Sequence, residues 1–401
     1  MGSCAGRGKK MVSDYETKGN AYFTKNEFYL ALKSFKAALE LTENIKSSEK
    51  NNLWLYSKIA RCYCSLGSPK EAALYYKRIK NLEVEVEEDS VSDLIQLVYI
   101  YNSIGSCRIM MGNYIESLEV FEKSGKTLAN ISNIIPDKEI ELRNELGLGL
   151  QRLGKYSESL EVHLKVLNLI GKSQDEKKRK SIALCNIASC LFRMEKYTEA
   201  LEYYKKSLES READENISKV DLGTSYNNIG ALYLKMDKLQ EAIEMLNLAD
   251  ELWENSLPLK HPNFSKIFNN LGVYNFKQGN LTEAIKYFEK SRVLIEEIFP
   301  DDHPKIAFIY CNLAICAKKE GKMQEALTYY TKSKKIGEDK LKGHPDMASI
   351  YNNYASYLYS SGKIKEAKEM LNNSANVRKI TFGYNSPTIS TNIIICVNSL
   401  E

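Results

Sequence analysis

The stretch His303–Ser333, HPKIAFIYCNLAICAKKEGKMQEALTYYTKS, reads as two amphipathic helices joined at Gly321-Lys322, and its skeleton returns along the whole chain. Aligned on Ala314, a small residue recurs at Gly19, Ala60, Gly105, Gly147, Ala188, Gly230, Gly272, Ala314 and Ala355, spaced by 41 to 45 residues. Twelve residues further on stands a second one: Ala31, Ala72, Ser117, Ser159, Ala200, Ala242, Ala284, Ala326 and Ala367. Four beyond that the position is usually aromatic or large, as at Phe35, Tyr76, Phe121, Tyr204, Phe288 and Tyr330. Between the two small residues come helix stops such as Gly112-Asn113, Gly154-Lys155, Gly279-Asn280 and Gly362-Lys363.

The residue types follow from packing. Where two helices cross closely only Gly, Ala or Ser fits, and the aromatic fills the gap to the next pair. One pair cannot cover its own apolar face, so successive pairs stack and bury a continuous core. The pattern predicts an all-α, right-handed superhelical solenoid of about nine antiparallel helix pairs plus a final single helix. Its expected divisions are a flexible tail over 1–12, the solenoid over 13–386, and a terminal helix over 387–401 that is a cap or a truncated tenth repeat.

Composition narrows the function classes. The 401 residues carry a formal net charge of +4 with 27% charged side chains, too little and too mixed to point to nucleic acid. No apolar run is long enough to cross a bilayer and no secretory signal opens the chain, which predicts a cytoplasmic protein. Of nine cysteines, eight (Cys62, Cys64, Cys107, Cys185, Cys190, Cys311, Cys316 and Cys396) fall inside helical, largely apolar patterns, so reduced buried thiols are expected, with no metal and no cofactor. Three of four histidines stand in His-Pro helix starts, and His163 takes the large-residue position of the fourth unit. No nucleophile elbow, phosphate loop or paired catalytic carboxylate is present, so no enzymatic activity is expected.

The spacing of Tyr226, Ile229-Gly230, Tyr233, Ala242 and Ala249 resembles the tetratricopeptide repeat, over about Tyr15 to Ser374. That repeat usually has a period of about 34, which implies helices longer here by about two turns per unit. Part of the excess is visible at His261-Pro262, His303-Pro304, His344-Pro345 and Ser386-Pro387, where proline is placed to start the first helix early. The combination of His-Pro, Asn-Asn-Leu or Asn-Leu-Ala, Gly-Lys and Glu-Ala is similar to the tetratricopeptide domain of kinesin light chain, best over residues 216–385. That family uses a heptad coiled coil to join its heavy chain, and none is expected ahead of Tyr15, so a stand-alone adaptor fits better than a motor subunit.

Two polar series share a face of the first helices. Asn186, Asn228, Asn270, Asn312 and Asn353 repeat at 41 or 42 residues, and seven residues after the ladder position come Arg152, Arg193, Lys235, Lys277 and Lys319. Seven residues fall about 20° short of two helical turns, so each Asn and its basic partner lie side by side. An Asn amide offers a donor and an acceptor to an extended backbone, and a basic row selects acidic side chains or a terminal carboxylate. A merely solvated face gives no reason to repeat Asn, a mediocre helix former, at one phase. The expected function is therefore a non-enzymatic adaptor or scaffold that binds an acidic, extended peptide segment of a protein partner in its concave groove. In the resembling family, asparagine ladders and basic groove residues bind cargo peptides.

Other features carry less. Gly2 and Cys4 in MGSCAGRGKK resemble a dual acylation signal, which would give a membrane-associated pool, although Gly6 stands where Ser or Thr is usual. Lys177–Lys180 reads as a solvated helix start, and the acids between Glu83 and Asp89 as a connection or a mimic of the ligand. Ile395 stands where a tenth ladder asparagine would be. Two alternatives remain open: a regulatory receptor resembling bacterial quorum-sensing regulators, in which such an array senses a small peptide, and an accessory subunit of a stable complex.

Overall fold

The computed structural model describes residues 2–382 apart from 25–26, 45–51, 67, 83–90, 111–112, 132–135, 172–175, 215–216 and 300. The acids of Glu83–Asp89, the turn at Gly112 and the expected terminal helix 387–401 lie outside the described residues. Eighteen helices occur in sequence among those described: α1 Gly2–Thr24, α2 Phe28–Asn44, α3 Leu53–Ser65, α4 Pro69–Leu82, α5 Val91–Met110, α6 Tyr114–Asn130, α7 Pro136–Arg152, α8 Tyr156–Ile170 and α9 Glu176–Arg193. They continue as α10 Tyr197–Glu212, α11 Lys219–Lys235, α12 Leu239–Glu254, α13 Asn263–Lys277, α14 Leu281–Ile298, α15 Pro304–Lys319, α16 Met323–Lys340, α17 Met347–Ser360 and α18 Ile364–Phe382. The chain is an all-α solenoid of helix pairs, as its repeat predicts.

The second small residue of every unit is fully buried, from Ala31 to Ala367. The first is covered by the large residue of its own hairpin. A Cβ added to Gly19 would lie 2.6 Å from Phe35, one on Gly105 2.5 Å from Phe121, and one on Gly272 2.5 Å from Phe288. The phenyl ring therefore rests on bare backbone, a contact that no side chain at the glycine permits. Ser207, Ser291, Ser333 and Ser374 add a polar fastener: each hydroxyl donates to a carbonyl on the facing first helix, that of Ser181, Ser265, Ala307 or Ala348, at 2.7–3.0 Å.

The turns inside the hairpins use one left-handed residue. It is glycine at Gly154, Gly279, Gly321 and Gly362, but Glu195 (φ 61°) and Asp237 (φ 57°) in the fifth and sixth units. The His-Pro pairs cap helices. The Nδ1 atoms of His261, His303 and His344 each accept the backbone N–H two residues on, all at 3.2 Å. Only Pro304 lies inside a helix; α13 begins one residue after Pro262 and α17 two after Pro345. The early start expected of the prolines is thus replaced, in two of three cases, by a capped turn in which the imidazole satisfies an otherwise unpaired N–H.

Residues 1–12, expected as a flexible tail, are helical from Gly2 onward. Ala5, Lys9, Lys10 and Met11 are good helix formers, and once the C-terminal half of α1 is packed on α2, extension adds a bond for each residue fixed. The chain gathers into two compact units, Met1–Gly149 and Leu150–Glu401, a division the single solenoid expected over 13–386 did not include. Six cysteines (Cys62, Cys107, Cys185, Cys190, Cys311 and Cys316) are buried free thiols. Burial pushes those of Cys190 and Cys311 up to about 11, far from reactivity at neutral pH.

Candidate functional site

In the second unit the first helices α9, α11, α13, α15 and α17 line a common cavity of about 510 Å³. Of the polar residues expected to form the site, Arg193, Lys235 and Asn270 meet there. The asparagine ladder has a further task. Asn270 Nδ2 donates to Asn227 Oδ1 at 3.0 Å and Asn312 Nδ2 to Asn269 Oδ1 at 2.8 Å. Asn228 and Asn353 donate in the same way to the Sγ atoms of Cys185 (3.8 Å) and Cys311 (3.3 Å). In each case the acceptor immediately precedes the ladder position of the preceding unit. One N–H of each of these four amides thus ties unit to unit, and the side chain offers a ligand less than its full set of bonds. Asn186 differs, for its buried Nδ2 has no partner among the described residues.

The basic series also divides. Lys277 is paired with Asp237 in the neighbouring turn, and Lys319 Nζ lies 4.7 Å from the centre of the Phe276 ring. Neither lines the cavity. Arg193 reaches across it: its guanidinium binds the Tyr156 hydroxyl and the carboxylate of Asp346. Asp346 belongs to a closure of the second unit on itself. His344 Nε2 lies 3.1 Å from the Arg152 carbonyl, Gly154 packs against Pro345, and Arg378 faces Glu195 at 3.5 Å. Burial works to raise the Asp346 carboxyl, but Arg193 and His344 overcome it and hold the group ionised below its usual range.

Two further lysines complete the cavity. Lys266 projects from α13 and Lys305 from the first turn of α15. Solvent reaches Lys266, yet protein surrounds both ammonium groups closely enough to weaken their hydration. Burial, then the charges of Lys266 and Arg152, lower Lys305 to about 7, and burial followed by Arg152 lowers Lys266. Lys235 is lowered by burial and then by Arg193. Repetition did not single out Lys266 and Lys305: four before the other ladder asparagines stand Ile182, Thr224, Phe308 and Ser349, and seven before them stand Arg179, Asp221, Asn263 and Asp346. Their phase could: four and seven residues are close to one and two helical turns. Gly2 and Cys4 fall in the first turn of α1, in the other unit.

Stacked helical hairpins with a polar cavity on their first helices define a repeat protein of the binding class. The tetratricopeptide repeat pattern matches residues 138–213, 179–255, 264–339 and 306–380, and a second such pattern matches 15–45. The chain belongs to the tetratricopeptide repeat family. A pentatricopeptide-type (PPR) repeat matches 54–84. No curated protein sequence matches the chain. Among solved structures it is similar to the Rap conjugation gene regulator of plasmid pLS20 in complex with the Phr* peptide, at 15% identity and a TM-score of 0.58, covering 94% of this chain and 98% of that one. It is similar also to a Rap protein complexed with competence and sporulation factor, at 13% identity and a TM-score of 0.55, over 87% and 99%. Kinesin light chain nearly identical TPR-like repeats from Podosopora anserina match at 17% identity and a TM-score of 0.39, over 52% and 100%. At these identities the likeness is one of fold. No helix among the described residues is long and apolar enough to cross a membrane.

Proposed function

We propose that the groove of the second unit binds an extended acidic peptide segment and that the chain works without catalysis, as an adaptor for a protein partner. The observation that carries this reading is the charge balance of the cavity. Lys235, Lys266 and Lys305 line it, and its one lining carboxylate, Asp346, is already taken by Arg193. Ammonium groups crowded together without a free carboxylate among the lining residues favour a ligand that brings negative charge, and the asparagines beside them suit its backbone. The recognition set on this reading is Asn186, Asn228, Asn270, Asn312 and Asn353 with Arg152, Arg193, Lys235, Lys277 and Lys319, now joined by Lys266 and Lys305.

A second reading, a receptor for a short free peptide, is favoured by chain-long fold likeness to two structures, one solved with a peptide bound and one with competence and sporulation factor. Both readings use the same groove. Retention of degenerate acidic peptide libraries by the full chain tests them together: Asn270→Ala and Lys235→Glu should each reduce retention about tenfold at unchanged helicity. Retention indifferent to both variants would place binding elsewhere. Compaction on peptide binding, read by small-angle scattering, would favour the receptor.

A further inference from the structure

The groove holds more positive charge than an acidic backbone segment alone requires. Lys266 and Lys305 line the same cavity from neighbouring first helices, and Arg152, at the end of α7 and outside that lining, adds its charge to both. Among the described residues no carboxylate is paired with any of the three, and none is among the charges that shift the two lysines. The Lys305 ammonium lies 4.6 Å from the centre of the Phe299 ring. By contrast Arg292, Lys334 and Lys340, elsewhere in the second unit, each have a carboxylate within 3 Å.

We propose that Lys266 and Lys305, with the charge of Arg152 behind them, form a subsite for a phosphomonoester, so that the peptide taken by this groove carries a phosphorylated side chain. The inference rests on the groove reading above and deepens it. Surrounding these like charges with protein and holding them together without a counter-charge is costly, which is why Lys305 is lowered to about 7, and what restores its proton and matches the cluster is a group with both charge and several acceptors. A carboxylate brings one charge and two oxygens. A phosphomonoester brings close to two charges near neutral pH and three oxygens, enough for both lining ammonium groups. The cavity, at about 510 Å³, is ample for a phosphorylated side chain. Asn227 and Asn269, which border it, add amide groups beside the cations.

The test uses the full chain and three degenerate peptide libraries that share an acidic background and differ at one fixed position, phosphoserine, glutamate or serine. Wild type should retain the phosphoserine library about tenfold better than the glutamate library. Lys266→Gln/Lys305→Gln should abolish that preference, bringing retention of the phosphoserine library down to that of the glutamate library, and equal melting temperatures would confirm an intact fold. Equal retention of phosphoserine and glutamate, or a preference that survives the double variant, overturns the subsite. Asn270→Ala separates the two levels. Retention that it weakens without any phosphoserine preference sinks the subsite alone, whereas retention that it leaves unchanged, or no retention at all, sinks the groove reading with it.

Discussion

Arg193 and Asp346, 153 residues apart in the chain, form an ion pair across the groove of the second unit. Each side chain is about a third exposed, so water screens part of the interaction and its loss should cost less than that of a fully buried pair. Asp346→Asn is expected to lower stability by about 1–2 kcal/mol in urea denaturation, within the range expected for a partly wetted charge-assisted bond. The double variant Arg193→Met/Asp346→Leu should cost clearly less than the two singles summed; strict additivity would show that the residues act apart. Because the Asp346 carboxyl is held below its ordinary range, its contribution is present above the unfolded value and disappears only as pH falls through the folded one.

His163 supplies a second acid sensitivity of the same sign, set in a higher pH range. It is fully buried, neither ring nitrogen has a hydrogen-bond partner among the described residues, and burial lowers it to about 4. Its folded value lies below the unfolded one, so the folded state must expel a proton. Stability should be intact above about pH 6.5 and fall as pH drops toward 4, by at most roughly 3 kcal/mol. His163→Leu should flatten that part of the pH–stability curve. An unchanged slope in the variant would assign the acid sensitivity to other groups.

The contact of Gly272 with Phe288 predicts a compensating pair. Gly272→Ala forces a methyl group into the phenyl ring and should cost about 1–3 kcal/mol by overpacking. Combining it with Phe288→Leu should recover part of the loss relative to the sum of the two changes. Additive thermal shifts would mean that ring and glycine are not in conflict.

At Asp237 the backbone occupies the left-handed region that four neighbouring units reserve for glycine. Asp237→Gly should stabilise the protein by about 0.5–1 kcal/mol in chemical denaturation, since the conformational strain of an L residue there is of order 1–2 kcal/mol. The exposed pair with Lys277 that it sacrifices is worth little. A loss of stability would show that this pair outweighs the strain.

The fold was legible because packing demands recur once per unit. Every second small residue lies at zero exposure, and the aromatics four positions later cover the first small residue. The site was legible only in its periodic part. Asn270, Arg193 and Lys235 could be read from spacing, whereas Lys266 stands alone at its phase and Lys305 and Asp346 share theirs with Arg179, Asp221 and Asn263, a mixture of charges that gains meaning only when curvature brings distant units together. The asparagine ladder carried two signals in one. Its regularity arises at least partly from amides that lock unit to unit through Asn227, Asn269, Cys185 and Cys311, a structural duty that repetition alone cannot distinguish from binding. Glu195 and Asp237 hid two turns for a simpler reason, since the glycine that marks the other turns is absent.

The closure of the second unit, through Arg193 with Asp346 and the contact of Gly154 with Pro345, sets a topological condition on whatever occupies the groove. A short peptide with free ends can thread in and slide out while the clasp stays shut, and its residence time then follows its own contacts. A segment in the middle of a longer chain has no end to thread, so it must wait for the clasp to part both on entry and on exit. Loosening the Arg193–Asp346 pair should therefore accelerate the exchange of an internal segment far more than that of a free peptide, and the ratio of the two rates reports which kind of ligand the groove was shaped to hold.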